Sequence, residues 1–255
     1  MPEGDVVWRT ARQLDDALSG RVLARSDFRV PRYATTNLTG RAVTETVSRG
    51  KHLLTRVEGG VTVHTHLKMD GSWRISPATS YPRRDYRIRL ILANEQWQAV
   101  GVLLGIVEVI RTSREDAAIG HLGPDLLGPK FDADEAVRRL RAEPDRTIGE
   151  ALLDQRNLAG IGTIYRAETL FLRGVGPWRP VGEIADLHGL VELARHRVHF
   201  LAAVRPAGSA GTRPRCVPRA PVRVPPGGSA CRSGGTVHQP GRRPTSACRA
   251  PGRPW

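Results

Sequence analysis

The chain begins Met-Pro-Glu-Gly-Asp, which places a proline nitrogen and two carboxylates at its first positions. Removal of Met1 would expose the secondary amine of Pro2, and a terminal amine has a pKa of about 8, roughly two units below that of lysine. A larger fraction of such an amine is neutral and nucleophilic at neutral pH. The adjacent carboxyl group of Glu3 could donate a proton to a reacting atom. The alternative is a frayed terminus without chemistry.

Charge is distributed unevenly along the 255 residues. The formal net charge is +14 and the isoelectric point is about 11.0, which favours a polyanionic partner. Residues 202–255 contain ten arginines and no lysine, aspartate or glutamate, so residues 1–201 carry only +4. Because there is neither a membrane-length apolar run nor an N-terminal signal pattern, we expect a cytoplasmic protein.

Three compositional zones indicate an α+β fold. Residues 1–125 are expected to form an antiparallel β-sandwich with one leading helix, because short β-branched runs alternate with glycines. Residues 130–201 change to helical patterns and are expected to form a second, helical domain. Residues 202–255 are rich in Arg, Pro, Gly, Ala and Ser and are expected to be disordered, since they cannot bury enough apolar surface to offset chain entropy.

The helix predictions rest on spacing and on capping residues. Apolar residues recur at helical spacing in the leading segment, at Val7, Ala11, Leu14 and Leu18. The predicted second-domain helices begin after Asp132, at the capping box of Thr147, at Thr163 and near Asp186. The helix from Thr163 carries one apolar stripe of Ile164, Ala167 and Phe171, and we expect it to end near Gly174. Strands are predicted within residues 21–30, 42–50, 52–60, 61–69, 86–92 and 99–110.

The segment LLDQRNLAGIGTIYRAE indicates two helices separated by a glycine turn. Gly160 and Gly162 allow the main chain to approach a partner closely, and a helix that follows such a turn directs bare N–H groups toward a phosphate. For an isolated G-x-G an ordinary helical hairpin is the better interpretation. This longer segment, however, closely resembles the helix–two-turn–helix signature of the formamidopyrimidine-DNA glycosylase/endonuclease VIII family.

Four other segments resemble the same family and occur in its order. MPEG stands at the start, as in the endonuclease VIII branch; SRGKHLL resembles the strand that bears a conserved lysine, here Lys51; HTHLKMDGSW resembles a loop whose methionine, here Met69, probes the DNA stack; and HLGPDLL resembles the interdomain segment. The resemblance covers about residues 1–201 and is greatest to actinobacterial endonuclease VIII proteins.

The resemblance implies a bifunctional DNA glycosylase and abasic-site lyase of base excision repair. Pro2 would attack C1′ of a damaged nucleotide and form a Schiff base, Glu3 would donate a proton, and Lys51 would act as proton donor and phosphate contact. Met69 would enter the gap left by the flipped base. The other DNA contacts implied are His66, Gly160, Gly162 and Thr163. Damaged DNA is the expected partner, the protein is expected to be monomeric and associated with a bacterial nucleoid, and no cofactor is required.

Each of three residues also has a structural interpretation. Lys51, one of three lysines in the chain, could be a solvated strand residue. Met69 could fill a gap in the core, which is the commoner role of methionine. A single histidine such as His66 is as often structural as functional.

Three departures from the family pattern bear on activity. Many relatives carry a glutamate shortly after the proline, where this chain has Asp5. Thr163 replaces a phosphate-binding asparagine, and its hydroxyl can still donate one hydrogen bond. The oxidised-purine branch has an Arg–Phe pair where this chain offers Leu103 and Leu104, which favours oxidised pyrimidines as substrates.

The tail is the fourth departure. Family members end in a four-cysteine zinc finger, but Cys216, Cys231 and Cys248 are scattered, and His238 cannot complete a site with them, so we predict no structural zinc. A reading-frame shift near residue 201 explains the tail composition better than the alternative, an evolved basic arm that binds phosphates.

Two other functional classes stay open from the sequence. The first is a catalytically impaired or non-catalytic DNA-binding protein on the same scaffold, consistent with Thr163 and the altered tail. The second is a basic RNA- or ribosome-associated protein, which would prefer structured RNA to lesion-containing DNA.

Overall fold

A computed structural model describes residues 2–79 and 85–203, and these residues confirm the α+β class. The predicted disordered tail and all three cysteines lie outside the described residues. No helix in the described ranges has the length and apolarity needed to cross a membrane.

Within the described residues, eight strands form two antiparallel sheets of four. The first sheet has the order β1-β6-β7-β5 and the second has the order β2-β3-β4-β8. The strand bounds are β1 Arg25–Phe28, β2 Val43–Arg49, β3 His52–Val57, β4 Val61–His66, β5 Ser72–Pro77, β6 Ile88–Ala93, β7 Trp97–Val102 and β8 Ile106–Arg111.

Six α-helices accompany the sheets in the described part of the chain. Their bounds are α1 Gly4–Leu18, α2 Glu115–Ile119, α3 Ala133–Arg141, α4 Ile148–Leu153, α5 Thr163–Leu172 and α6 Leu187–Ala203. The predicted cap at Thr147 is confirmed, and the predicted starts of two other helices also carry a capping side chain, each accepting from a main-chain N–H group. The side chain of Asp132 accepts from Glu135, that of Thr147 accepts from Glu150, and that of Asp186 accepts from Gly189.

Two large hydrophobic cores, and a small cluster of Ile88, Ile91, Val100 and Val102 on the first sheet, hold the described elements together. The first joins α1 to the sandwich, and the predicted stripe of Val7, Ala11, Leu14 and Leu18 is buried in it. The second joins the helices from α3 to α6 around residues such as Leu152. Helix α1 contacts both β2 and α6, so the N-terminus lies where the sandwich meets the helices.

Three predictions about elements need correction. The apolar run 99–110 is two strands, because the chain turns at Leu103–Gly105. Strand β5 and helix α2 were not predicted. The apolar alternation in β5 is short, limited to Trp73 and Ile75, which pack against the first core, and the strand lies at the edge of its sheet beside β7. The predicted stripe on α5 is exposed, with Ile164 55% and Phe171 84% accessible. Neighbouring helices cover the opposite face, which carries Tyr165, Thr169 and Leu170.

Candidate active site

The N-terminal segment is anchored by the side chain of Glu3. Pro2 is half-buried and immediately precedes Glu3, which is the N-cap residue of α1. The Glu3 carboxylate is 2% exposed and accepts hydrogen bonds from the main-chain N–H groups of Gly162 (3.0 Å), Ile164 (2.8 Å) and Tyr165 (3.4 Å). These groups begin α5, where the helix dipole favours an anion. Residue 2 is therefore held at the junction of two helix N-termini.

The two glycines of the helix–two-turn–helix segment, Gly160 and Gly162, lie against this N-terminal segment. A Cβ atom at Gly162 would lie 2.6 Å from Glu3 Oε1, so a side chain there and the Glu3 carboxylate exclude each other. Gly160 has a φ of +99°, and its carbonyl oxygen accepts a hydrogen bond from the Gly4 N–H at 2.9 Å. The expected bare amides at the start of α5 are thus not bare: the anion that they bind is the protein's own Glu3.

Gln155 fixes the turn that carries both glycines. Its side-chain oxygen accepts from the Gly160 N–H at 3.0 Å, and its side-chain nitrogen donates to the carbonyl oxygens of Ile161 (3.0 Å) and Leu153 (2.9 Å). Gln155 was not among the predicted site residues, although a glutamine five positions before a G-x-G turn is a visible signal in the sequence. Its three bonds hold the turn in the shape that Glu3 requires.

Lys51 lies in the turn between β2 and β3, which is fastened to the segment before the helices. The Asp125 carboxylate, 5% exposed, accepts from the N–H groups of Gly50 (2.8 Å) and Leu127 (3.1 Å), and it lies 3.8 Å from the Arg49 guanidinium. Burial lowers the pKa of Lys51 below 10.5, while the negative charge of Glu3 partly offsets that effect. The structure therefore brings Lys51 into electrostatic contact with Glu3.

His66 belongs to a group of four histidines that the sequence analysis did not recognise. The rings of His66 and His121 lie edge-on to His52, at centroid distances of 4.8 and 6.4 Å, and His64 stacks on His52 at 5.1 Å. Burial, followed by neighbouring positive groups, lowers the pKa of His52 to about 3 and that of His66 to about 4. The missed signal was the pairing register, in which His52 faces His66 across β3 and β4.

The loop that carries Met69 joins β4 to β5 and projects into solvent. Met69 is 62% exposed, which excludes the core interpretation. Lys68 before it has a left-handed φ of 55°, and the only other described non-glycine residue with positive φ is Leu103, at 49°. The N–H of Gly105 donates to the His66 carbonyl oxygen at 2.9 Å, so the Met69 loop and the Leu103 loop are hydrogen-bonded neighbours. Such conformations cluster at binding and catalytic sites.

Thr163 and Asp5 differ in what they can offer to a ligand. Thr163 is exposed at the first position of α5. Asp5 is buried and forms an ion pair with Arg9 at 2.7 Å. It also accepts a hydrogen bond from Tyr165, whose pKa is raised chiefly by burial and further by Asp5. Thr163 is thus free to face a ligand, whereas Asp5 serves the packing of α1 on α5.

The described residues contain no group of three or more His, Cys, Asp or Glu side chains arranged to hold a metal ion. This holds for the four histidines as well, of which His52 and His64 are hydrogen-bonded to each other. The predicted absence of zinc concerns cysteines beyond residue 203, which lie outside the described residues.

Comparison with known proteins gives two domain matches. Residues 1–100 match the sequence model of the formamidopyrimidine-DNA glycosylase N-terminal domain, and residues 122–199 match that of the formamidopyrimidine-DNA glycosylase H2TH domain. The second range contains the helix–two-turn–helix segment.

Several curated relatives are similar over most of the described chain. A protein named probable endonuclease 8 2 from Streptomyces coelicolor is 60% identical over 72% of this chain and 67% of its own length. Endonuclease 8 2 from Mycobacterium tuberculosis is 52% identical, covering 76% and 77%. DNA-(apurinic or apyrimidinic site) lyase Nei2 from Mycolicibacterium smegmatis is 47% identical, covering 76% of each.

The fold is also that of solved structures. The Lactococcus lactis formamidopyrimidine-DNA glycosylase, in a complex with DNA containing N7-benzyl-Fapy-dG, superposes with a TM-score of 0.69 at 23% identity, covering 79% of each chain. A complex of the Lactococcus lactis protein with abasic-site DNA gives the same score at 22% identity. These similarities establish the architecture.

Proposed function

The chain belongs to the formamidopyrimidine-DNA glycosylase/endonuclease VIII family, and we propose that it removes oxidised bases from DNA and cleaves the strand at the resulting abasic site. Relatives named endonuclease 8 and DNA-(apurinic or apyrimidinic site) lyase support a DNA glycosylase with lyase activity in base excision repair. The observation that carries the proposal is that the main-chain N–H groups of α5 anchor Glu3. This fixes the position of the preceding residue, Pro2, and keeps Glu3 close enough to Lys51 for their charges to interact.

The proposed nucleophile is the nitrogen of Pro2 after removal of Met1. Its lone pair forms a bond to C1′ as the glycosidic bond breaks and the base leaves with the bonding electrons. The nitrogen then passes its proton to the Glu3 carboxylate, its lone pair opens the sugar ring, and the ring oxygen takes that proton from Glu3, which gives an iminium ion. The departed base takes its proton from water. That cation acidifies the C2′ proton, and its loss expels the 3′ phosphate by elimination. Water then releases the nitrogen, so the protein ends unchanged.

Glu3 and Lys51 have separate roles in this proposal. Glu3 adjoins Pro2 and would transfer the proton to the ring oxygen, while its main-chain hydrogen bonds fix its position. Lys51 would hold the backbone phosphate beside the lesion. Because Lys51 is largely buried, the attraction between its ammonium group and a phosphate is less screened by water and therefore stronger.

The proposed lesion class is an oxidised pyrimidine in DNA. Of the two leucines expected to replace the purine-branch pair, Leu104 is buried and Leu103 is 36% exposed beside the Met69 loop. Leu103 and Met69 can fill the gap of a flipped base by apolar contact, but neither can hydrogen-bond an orphaned base. His66 and Thr163 remain the proposed DNA contacts, whereas Gly160 and Gly162, whose N–H groups bond to Gln155 and Glu3, would act by holding the turn that presents Thr163. We further propose a monomer that acts at the bacterial nucleoid.

A second candidate is a DNA-binding protein that lacks catalysis. The observation in its favour is that Asp5, which stands near where many relatives carry a glutamate, is buried and paired with Arg9, so that it does not face a substrate. The candidates differ in whether a covalent intermediate forms.

Borohydride trapping on abasic-site DNA separates these candidates. The protein without Met1 is expected to give a covalent complex, and Pro2→Gly should give far less. An alanine inserted between Met1 and Pro2 makes a sharper variant, because it converts the Pro2 nitrogen into an amide and keeps every side chain. Equal trapping by all three proteins would remove Pro2 from the mechanism, and no trapping by the first would favour binding alone.

A further inference from the structure

A hydrogen-bonded chain of three side chains lies on the outer face of the second sheet. His64 Nδ1 lies 2.9 Å from Glu108 Oε2, and His64 Nε2 lies 2.8 Å from His52 Nδ1. His64 is 3% exposed, whereas the Glu108 side chain is 40% exposed and His52 is half-buried. The chain therefore runs from solvent at Glu108, through the sheet surface, to the histidine group beside Lys51.

The carboxylate fixes which nitrogen carries hydrogen along this chain. Glu108 can only accept, so His64 Nδ1 is the donor, and in neutral His64 the Nε2 atom must accept. His52 Nδ1 then donates to it, which leaves Nε2 of neutral His52 without a hydrogen. Burial lowers the pKa of His52 to about 3, with smaller effects from neighbouring histidines and Lys68, so this neutral form prevails at neutral pH.

His66, directly opposite His52, is fixed in the reverse sense. Its Nδ1 accepts a hydrogen bond from the Lys68 N–H at 2.8 Å, so neutral His66 carries its hydrogen on Nε2. His66 can donate to a phosphate oxygen without any change in protonation. His52, by contrast, would present a lone pair to that oxygen.

One added proton reverses the polarity of the chain. In this change His52 Nε2 takes up a proton, and His52 Nδ1 passes its own proton to His64 Nε2. Two N–H bonds form and one breaks, so the three side chains together gain one proton, with no oxidation or reduction. The positive charge then lies on His64, opposite the Glu108 carboxylate, and His52 is a neutral donor through Nε2–H.

The groups around the Glu108–His64–His52 side chains indicate that an anionic ligand would drive this protonation. The charged and titratable groups that face them are Arg49 opposite His52 on β2, Lys51 in the adjacent turn, His66 and Lys68 at the end of β4, His121 after α2, and Glu115, which interacts with His64. Most of these groups near His52 are cationic, and their positive charge disfavours protonation of the hydrogen-bonded side chains. A bound phosphate would offset that charge and favour the uptake of a proton.

We propose that His52 is a ligand for a backbone phosphate of the damaged strand, and that DNA binding is coupled to uptake of one proton by the Glu108–His64–His52 chain. This proposal rests on the proposed function, since it takes DNA as the ligand. His52 and Glu108 are binding and positioning residues, respectively, and neither takes part in the bond changes at C1′.

Calorimetry with an unreactive ligand tests the coupling. A short duplex with a tetrahydrofuran abasic analogue is titrated into the full chain in buffers of different ionisation enthalpy, which counts protons bound. Glu108→Gln retains an acceptor for His64 but cannot offset an imidazolium, and His52→Gln removes the nitrogen that gains the proton. Glu95→Gln, an exposed carboxylate in the β6–β7 turn, is the matched control.

The native protein and the control should take up close to one proton more than either variant at about pH 7. The dissociation constant of the native protein should also rise with pH, by up to about tenfold per unit relative to Glu108→Gln. Equal proton uptake by native protein and folded variants would overturn the proposal. Tight DNA binding without proton uptake would overturn only the proton-coupling proposal. Absence of DNA binding by the native protein would overturn the proposed function as well.

Discussion

The carboxylate of Glu3 occupies the space that a side chain at position 162 would need, with Glu3 Oε1 only 2.6 Å from the place of a Cβ atom on Gly162. The two residues are 159 positions apart, yet the Gly162 N–H donates to Glu3 at 3.0 Å. The glycine turn between α4 and α5 therefore serves the N-terminus of the chain itself, and the position of Pro2 depends on it.

Gly162→Ala should lower lyase activity by about 100-fold or more, since a displacement of about 1 Å at a reacting group has that effect. Single-turnover cleavage of abasic-site DNA measures it. Gly176→Ala is the matched control, because Gly176 lies in the same helical region and an added Cβ meets nothing within 4 Å. Native activity in Gly162→Ala would show that the position of Glu3 is unimportant.

Glu3→Gln should lower the pKa of Lys51 further, because the charge of Glu3 is what raises it against the effect of burial. The chain has three lysines, Lys51, Lys68 and Lys130, so NMR of lysine labelled with ¹³C at Cε can follow each titration. Lys130 serves as the internal reference. An unchanged Lys51 titration would mean that the two side chains do not interact.

Met69→Ala should change stability by less than about 0.5 kcal/mol, because the side chain is 62% exposed. If Met69 enters the DNA stack as proposed, its truncation should weaken binding to lesion-containing duplex by about 1–3 kcal/mol. Thermal unfolding and fluorescence anisotropy measure the two effects. Val22→Ala, at a residue 54% exposed, should change neither. Native affinity in Met69→Ala would exclude an intercalating role.

Glu115→Gln should destabilise the fold by about 1–3 kcal/mol at neutral pH. Arg56 donates two hydrogen bonds to this carboxylate, at 2.6 and 2.9 Å, and Thr62 donates a third at 2.6 Å. The Arg56 hydrogen bonds are the main cause that lowers the pKa of Glu115 below 4.5. A depressed carboxyl pKa stabilises the fold above 4.5 and loses that contribution as pH falls through the lowered value.

Urea unfolding at neutral and acidic pH checks this expectation. The difference between native protein and Glu115→Gln should shrink as the solution is acidified below the ordinary pKa of the group. Exposed Glu95→Gln should show little difference at either pH. A difference that is independent of pH would indicate lost packing in place of lost charge.

Local signals in the sequence were sufficient for α1 and for the helix caps. Neighbouring residues of the stripe Val7, Ala11, Leu14 and Leu18 are three or four positions apart, about one helical turn, and the capping side chain of Thr147 bonds three positions along the chain. The exposed stripe of α5 shows where such signals end. Apolar spacing alone could not reveal that Thr169 and Leu170 face the other helices while Phe171 faces solvent.

The candidate site divides in the same way. Pro2, Glu3, Lys51 and the two glycines could be identified as a motif set, but the reason for the glycines could not. Gly160 and Gly162 were expected to admit a phosphate, and their close contact is with Glu3 and Gly4, which only tertiary structure brings near. The histidine group depended on the β3–β4 register, which turn chemistry alone did not fix.

Mapping the trapped adduct tests the central claim most directly. After borohydride reduction of the complex with abasic-site DNA, protease digestion and tandem mass spectrometry locate the modified nitrogen. We expect the sugar-derived fragment on the nitrogen of Pro2, in protein from which Met1 has been removed. A fragment on the side chain of Lys51 or Lys68, or on the amine of a retained Met1, would contradict the account.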